Sequence, residues 1–85
     1  MRISWPDGFT KEYQALPEDV QERFDEKIEL FMRNPGHPSL RVKKMSGAEG
    51  IWEASISKSY RWTFEWSKDE VRLRHIGTHD MLRRE

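Results

Sequence analysis

The chain has 85 residues, which is enough for one small domain (residues 1–85) and too few for two hydrophobic cores. Hydrophobic and charged residues each make up 35% of it, and the four Trp, four Phe and two Tyr exclude the composition of a disordered chain. Cysteine is absent, which excludes disulfide bonds and cysteine-based zinc sites.

The formal net charge is zero, but the charges are unevenly placed. Residues 1–34 contain five Lys or Arg and eight Asp or Glu, whereas residues 35–85 contain ten and seven. A basic second half could bind a phosphate backbone, although ordinary scatter of surface charge explains the same distribution. The three histidines match no metal-binding spacing, so we expect no metal or other cofactor. No apolar run suggests a signal or membrane segment, so we expect a cytoplasmic location.

Two amphipathic helices are predicted in the first half. Asp7 is a candidate N-cap for a helix over residues 8–16, and Pro17 suits the first position of a second helix over residues 18–33. Their apolar positions recur at helical spacing: Phe9, Tyr13 and Leu16 in the first, and Val20, Phe24, Ile28 and Phe31 in the second. The sequence Asn-Pro-Gly at 34–36 ends the second helix.

The second half changes to the period-two pattern of strands. Alternation and turn residues predict strands over residues 41–45, 51–57, 60–66 and 71–76, with a turn at 46–50. Residues 2–5 could add a short edge strand, stopped by Pro6. The predicted fold is therefore α+β, with a helical hairpin packed on one face of a four-stranded antiparallel sheet and a possible short N-terminal strand.

The hydrophobic faces of the strands also predict their register. Matching apolar positions places Ala54 opposite Trp62, and Phe64 opposite Leu73, on the face that covers the helices. Trp66 is predicted on this face as well. The opposite face then carries polar side chains: Glu53, Ser55, Arg61, Thr63, Glu65, Arg72 and Arg74.

The same register makes two predictions about single residues. Arg61 lies opposite Ile76, so Arg61 and His79 should meet at one end of the polar face. His75 falls on the apolar face beside Trp62, which favours a core histidine over a catalytic one.

A cluster of Arg, Lys and His on a sheet face suits RNA cleavage by attack of the ribose 2′-hydroxyl on phosphorus. That reaction needs a base, a cation for the phosphate charge and an acid for the leaving 5′-oxygen. Arg61 fits the cation and His79 the acid. From spacing alone, a surface cross-strand arginine and a tail histidine are the simpler interpretation.

Five short segments, taken in order, resemble the RelE/ParE superfamily of bacterial toxins. They are HPSL at 37–40, KMSG at 44–47, GIWE at 50–53, YRWTF at 60–64 and IGTHD at 76–80. The resemblance implies a small metal-independent toxin neutralised by an antitoxin protein. RelE-like members cleave mRNA in the ribosomal A site, whereas ParE-like members inhibit DNA gyrase.

The resemblance also implies roles for single residues. Arg61 stands where RelE-like enzymes have a phosphate-binding arginine, and His79 stands where one branch has a general acid. Lys43 and Lys44 lie near positions that supply a basic side chain in some members. We therefore expect Arg61 and His79 to be catalytic, and the two lysines to bind RNA.

Further positions differ from the family pattern or are interpreted in two ways. Arg74 and Arg83 are predicted to bind RNA, although Arg83 could equally belong to a solvated tail and stands where the family often has an aromatic residue. Glu53 and Ser55 stand where one branch has lysines. Glu53 is interpreted as a surface carboxylate, or as a base if it lies near Arg61.

The leading hypothesis is a type II toxin that cleaves mRNA on the ribosome, with an antitoxin, the ribosome and mRNA as partners and no membrane. Two alternatives remain open at this stage. One is a ParE-like inhibitor of DNA gyrase, and the other is a degenerate toxin that only binds its antitoxin.

Overall fold

The computed structural model describes residues 2–47 and 49–82. The chain begins with strand β1 (Arg2–Ser4) and helices α1 (Asp7–Gln14) and α2 (Glu18–Arg33). A short 3-10 turn (Pro38–Leu40) leads into strands β2 (Lys43–Lys44), β3 (Ile51–Ser55), β4 (Tyr60–Trp66) and β5 (Glu70–Thr78). A single helical turn, α3 (His79–Leu82), follows β5 directly.

The five strands form one mixed sheet in the order β1-β5-β4-β3-β2. Four strands are antiparallel, and β1 adds a parallel edge to β5. The predicted α+β architecture is confirmed, with two helices on a sheet, and the possible N-terminal strand is present. No helix among residues 2–47 and 49–82 is long and apolar enough to cross a membrane.

The two helices form where the apolar stripes predict them. All four stripe positions of α2 are buried, and its first turn carries the carboxylates of Glu18 and Asp19, which favour the positive helix end. The helix starts differ from prediction by one position, because Pro6 and Pro17 are the N-cap residues and Asp7 already lies inside α1. An extended proline ends the preceding segment and fixes where each helix begins.

The core lies between the helices and one sheet face and is mainly aromatic. Five of its rings are completely buried: Phe9, Phe24, Phe31, Trp62 and Phe64. The Phe24 ring meets Trp62 edge to face with centroids 5.2 Å apart. Such contacts contribute about 0.5–1.5 kcal/mol beyond the burial of apolar area. Trp62 therefore has the predicted core position, and Trp66 packs against the core while partly exposed.

The register matches prediction along β3 and the first part of β5 and then changes. Ala54 pairs with Trp62, and Phe64 pairs with Leu73, as predicted. Thr63, however, pairs with His75, which leaves one extra residue on β5 at Arg74. This is a β-bulge, and it shifts every later residue of β5 by one position.

The bulge makes two predictions wrong. Arg61 pairs with Gly77 instead of Ile76, which takes the position beside Trp62. His75 is not a core residue: it is exposed, and its Nδ1 lies 3.2 Å from a carboxylate oxygen of Glu12 on α1.

Only β4 has the predicted bounds: β1 and β3 end one and two residues early, and β2 and β5 differ more. The strand predicted at 41–45 is reduced to Lys43–Lys44, because Arg41 follows the 3-10 turn in a left-handed conformation with φ of 48°. That conformation interrupts an extended chain. Strand β5 instead continues to Thr78, which brings His79 to the end of the sheet.

Candidate active site

The chain after β5 turns back over the sheet face opposite the helices. The backbone N–H of His79 donates a 3.0 Å hydrogen bond to the carbonyl of Ser59, and α3 packs on β4 and β5 with Leu82 almost fully buried. The face predicted to be polar and exposed is therefore partly closed. Three of its residues are less than one tenth exposed: Glu53, Ser55 and Thr63.

A cleft of about 250 Å³ opens between α3 and the β2–β3 hairpin, and we call it the His79 cleft. Its walls combine an exposed imidazole, a buried carboxylate and two lysines: His79, Glu53, Lys43 and Lys44. Met45, Ser46 and Leu82 complete the lining. The structure thus brings together three of the predicted site residues and adds Glu53 to them.

Glu53 is held in this cleft by its neighbours in the sheet. It pairs in register with Lys43 on β2 and with Thr63 on β4. The Lys43 Nζ lies 3.4 Å from a Glu53 carboxylate oxygen, with the glutamate side chain 9% exposed and the lysine 67% exposed. A buried carboxylate needs such a partner. The interpretation of Glu53 as a surface carboxylate is therefore wrong.

The other predicted cations have partners of different kinds. The Lys44 ammonium lies 5.4 Å from the centre of the Trp52 ring, within range of a cation–π interaction. Arg74 forms an ion pair with Glu65 at 3.2 Å, with both side chains partly exposed. Arg83 lies outside the described residues.

Arg61 lies at the predicted end of the sheet but outside the His79 cleft. Its Nη1 donates to the carbonyls of Ser57, Lys58 and Tyr60, the last at 2.9 Å, and so holds the loop between β3 and β4. Among the described residues its Nε and Nη2 make no hydrogen bond. Arg61 precedes Thr63 by two positions, which is about 7 Å along β4.

The guanidinium of Arg61 lines a separate cavity of about 550 Å³, which we call the basic groove. The groove also holds cations from α2, from the residue after the 3-10 turn and from the loop between β3 and β4: Arg23, Lys27, Arg41 and Lys58. The pattern of the sequence did not predict that these four cations lie together, because they come from three separate elements. In the sequence, only the four-residue spacing of Arg23 and Lys27 indicated that two of them share one face of a helix.

The His79 cleft has the groups that a proton-transfer reaction needs. A carboxylate can accept a proton and an imidazole can donate one, provided that both reach the same bound molecule. The Lys43 ammonium at the rim can stabilise negative charge that develops on a bound group. The Lys44 ammonium lies over Trp52, on the other face of the sheet, because consecutive strand residues point to opposite faces. A bound phosphodiester is a ligand for which Glu53, His79 and Lys43 all have a use.

No protein-family model matches the chain, and no curated protein sequence matches it. Solved structures do match along nearly the whole chain. YafQ from E. coli superposes with a TM-score of 0.79 at 15% identity, over 94% of each chain. A YoeB/ParE toxin from Agrobacterium tumefaciens gives 0.73 at 17% identity, over 93% of this chain and 99% of that one.

The antitoxin–toxin complex RelB–RelE from Methanococcus jannaschii contains a further match, with a TM-score of 0.74 and 17% identity over 96% of this chain and 94% of that one. At these identities the likeness concerns the fold. The chain has the fold of the RelE/ParE toxins, as the five short segments of its sequence indicated.

Proposed function

We propose that this chain is the toxin of a type II toxin–antitoxin system and that it cleaves mRNA on the ribosome. The observation that carries the proposal is the His79 cleft, where Glu53, His79 and Lys43 line one cavity. The shared fold with YafQ and RelE supports the toxin assignment. A nuclease that acts on ribosomes would work in the cytoplasm.

In the proposed reaction, Glu53 accepts the proton of the ribose 2′-hydroxyl, and the 2′-oxygen forms a bond to the adjacent phosphorus. The bond from phosphorus to the 5′-oxygen breaks, and His79 donates its proton to that oxygen. The products are a 2′,3′-cyclic phosphate and a free 5′-hydroxyl. The ammonium group of Lys43 stabilises the charge on the phosphate oxygens during this exchange, and Lys44 binds RNA backbone outside the cleft.

The arginines bind the rest of the RNA backbone in this proposal. Arg61 is about 7 Å from the Thr63 row of the sheet, so it contacts the phosphate next to the scissile one through Nε or Nη2. Arg74 and Arg83 contribute further backbone charge. Arg74 would exchange its partner Glu65 for a phosphate at little cost, because partly exposed ion pairs contribute about 0–1 kcal/mol.

An antitoxin is the second proposed partner. The matching RelE chain from Methanococcus jannaschii was solved with its antitoxin RelB, and YafQ from E. coli was solved in a complex with DinJ. We expect the cognate antitoxin to restore growth when it is expressed together with this chain. Growth arrest that no neighbouring gene product relieves would contradict the proposal.

The test compares two histidine substitutions during pulse labelling of protein and DNA synthesis after induction. His79→Gln removes the proposed acid, whereas His75→Gln is a matched control that removes an exposed histidine paired with Glu12, outside the cleft. We expect the parent and His75→Gln to stop protein synthesis first, with mRNA cut only when ribosomes are present. His79→Gln should lose at least 100-fold in cleavage rate.

Two outcomes would contradict the proposal. If DNA synthesis stopped first in the parent, inhibition of gyrase would explain the toxicity better. If His79→Gln cleaved mRNA as fast as His75→Gln, the catalytic assignment would be wrong.

A further inference from the structure

The basic groove lies beside the site and carries an unusual concentration of positive charge. It is formed by α2, the segment around the 3-10 turn and the loop between β3 and β4, and five of its nine lining residues are cations. None of the nine is an aspartate or a glutamate. Arg23 and Lys27 also line a second cavity on α2, together with Asp19, Glu22 and Glu26, none of which lines the groove.

Three of these cations, Arg23, Arg41 and Lys58, are exposed and form no ion pair with any residue of the described segments. Like charges gathered around one cavity repel each other, and a bound anion relieves that repulsion. The groove is therefore arranged for a negatively charged ligand.

Hydroxyl groups in the groove are also held in place. Ser39 accepts a 3.1 Å hydrogen bond from the Nζ of Lys27, and its hydroxyl lies 2.9 Å from Nδ1 of His37. The Ser55 hydroxyl donates a hydrogen bond to the carbonyl of Ser57, which also lines the groove. Hydroxyls interspersed with Arg and Lys are the usual contacts of phosphate oxygens in nucleic-acid interfaces.

The groove offers little to an acidic peptide. Its single apolar lining residue, Ile56, is only 2% exposed, so the groove offers almost no apolar side chain to the hydrophobic face of a peptide helix. A phosphodiester chain needs no such surface, because its charges are regularly spaced and bind to cations directly.

We infer that the basic groove binds the phosphodiester backbone of single-stranded RNA, outside the cleft in which the RNA is cut. Arg61 lies in the groove and also on the same face of the sheet as Glu53, one row further along that face. One strand of RNA can therefore pass from the groove into the His79 cleft. The inference rests on the proposed function in one respect, which is that the bound single-stranded nucleic acid is RNA.

The test measures binding of a fluorescent polyuridine oligonucleotide to His79→Gln protein, in which cleavage is disabled, over a series of salt concentrations. The groove variant adds Arg23→Gln and Lys58→Gln. The control variant adds Lys11→Gln and Lys68→Gln, which remove the same charge from exposed positions outside the groove.

We expect the groove variant to bind about 25-fold more weakly at 0.1 M salt, with the slope of log K against log salt reduced by about 1.4, since each phosphate contact on a single strand contributes about 0.7. Lys58→Gln alone should weaken binding about 5-fold. The control variant should bind as tightly as its parent. All variants should keep the urea midpoint of the parent, because the altered side chains are exposed.

The inference is overturned if the groove and control variants lose the same affinity, which would indicate a general effect of net charge. It is also overturned if polyglutamate, and not RNA, loses affinity in the groove variant, because an acidic protein segment would then be the ligand. Normal RNA binding by the groove variant alongside inactive His79→Gln would reject this inference and leave the proposed function intact. Weak RNA binding by the groove variant, together with an active His79→Gln, would support this inference and reject the proposed catalytic role of His79.

Discussion

The two faces of the sheet bury different kinds of side chain. The face under the helices buries aromatic rings such as Phe24, Phe31 and Trp62. The face under α3 buries Glu53 and Thr63, each with a polar partner in the sheet or the bulge. Apolar burial stabilises a fold in proportion to area, whereas buried polar groups must be paired. The first face therefore supplies stability, and the second holds the groups to which the proposed chemistry is assigned.

Phe24→Ala tests the first half of this comparison and should have the largest effect. Phe24 is completely buried and contacts several other rings, so its loss should cost about 3–5 kcal/mol, a large part of the roughly 5–15 kcal/mol that stabilises a domain. Urea denaturation measures this loss. Glu29→Ala, on the exposed side of the same helix, is the control and should change the free energy of unfolding by less than about 0.5 kcal/mol.

Glu53→Gln tests the other face. We expect RNA cleavage to fall about 100-fold, because the amide cannot accept a proton. The free energy of unfolding should change by no more than about 1 kcal/mol, since the partner Lys43 is largely in water. Cleavage kinetics and urea denaturation on one preparation measure both. A loss of stability as large as that of Phe24→Ala would remove the contrast between the faces.

Gly50→Ala tests the backbone of the turn that leads into β3, the strand that carries Glu53. Gly50 has φ of 77°, where a side chain costs about 1–2 kcal/mol. Gly8 in α1 lies in open space within a helix, so Gly8→Ala should instead stabilise the protein by about 0.4–1 kcal/mol. Thermal unfolding should show shifts of opposite sign, and shifts of the same sign would contradict the backbone argument.

Tyr13→Phe should have the smallest effect, and this effect should change with pH only in alkali. Partial burial, and then the hydrogen bond and negative charge of Asp25, raise the pKa of Tyr13 to about 12 from its usual 10. A raised pKa means that the fold favours neutral tyrosine, so this contribution is complete below pH 10 and is lost between pH 10 and about 12. The difference in unfolding free energy between parent and variant should therefore change only in that interval. A constant difference from pH 8 to 12 would contradict this account.

The sequence predicted more of the apolar face than of the catalytic one. The stripe of α2 and the pairing of Ala54 with Trp62 follow from burial periodicity, and the structure confirms them. The bulge at Arg74 left no such signal, because Val71, Leu73 and His75 continue the alternation through it. The burial of Glu53 depends on α3 folding back over the sheet, which is a tertiary contact. Local patterns do not contain that information.

The parallel pairing of β1 with β5 has a consequence for the synthesis of the chain. Ile3 pairs with Val71, 68 positions later, so the first strand has no partner until those residues have been translated. At 5–20 residues per second, that delay is roughly 3 to 14 seconds. His79 emerges later still. A nuclease directed against ribosomes would thus remain incomplete while the ribosome that makes it is still at work on it.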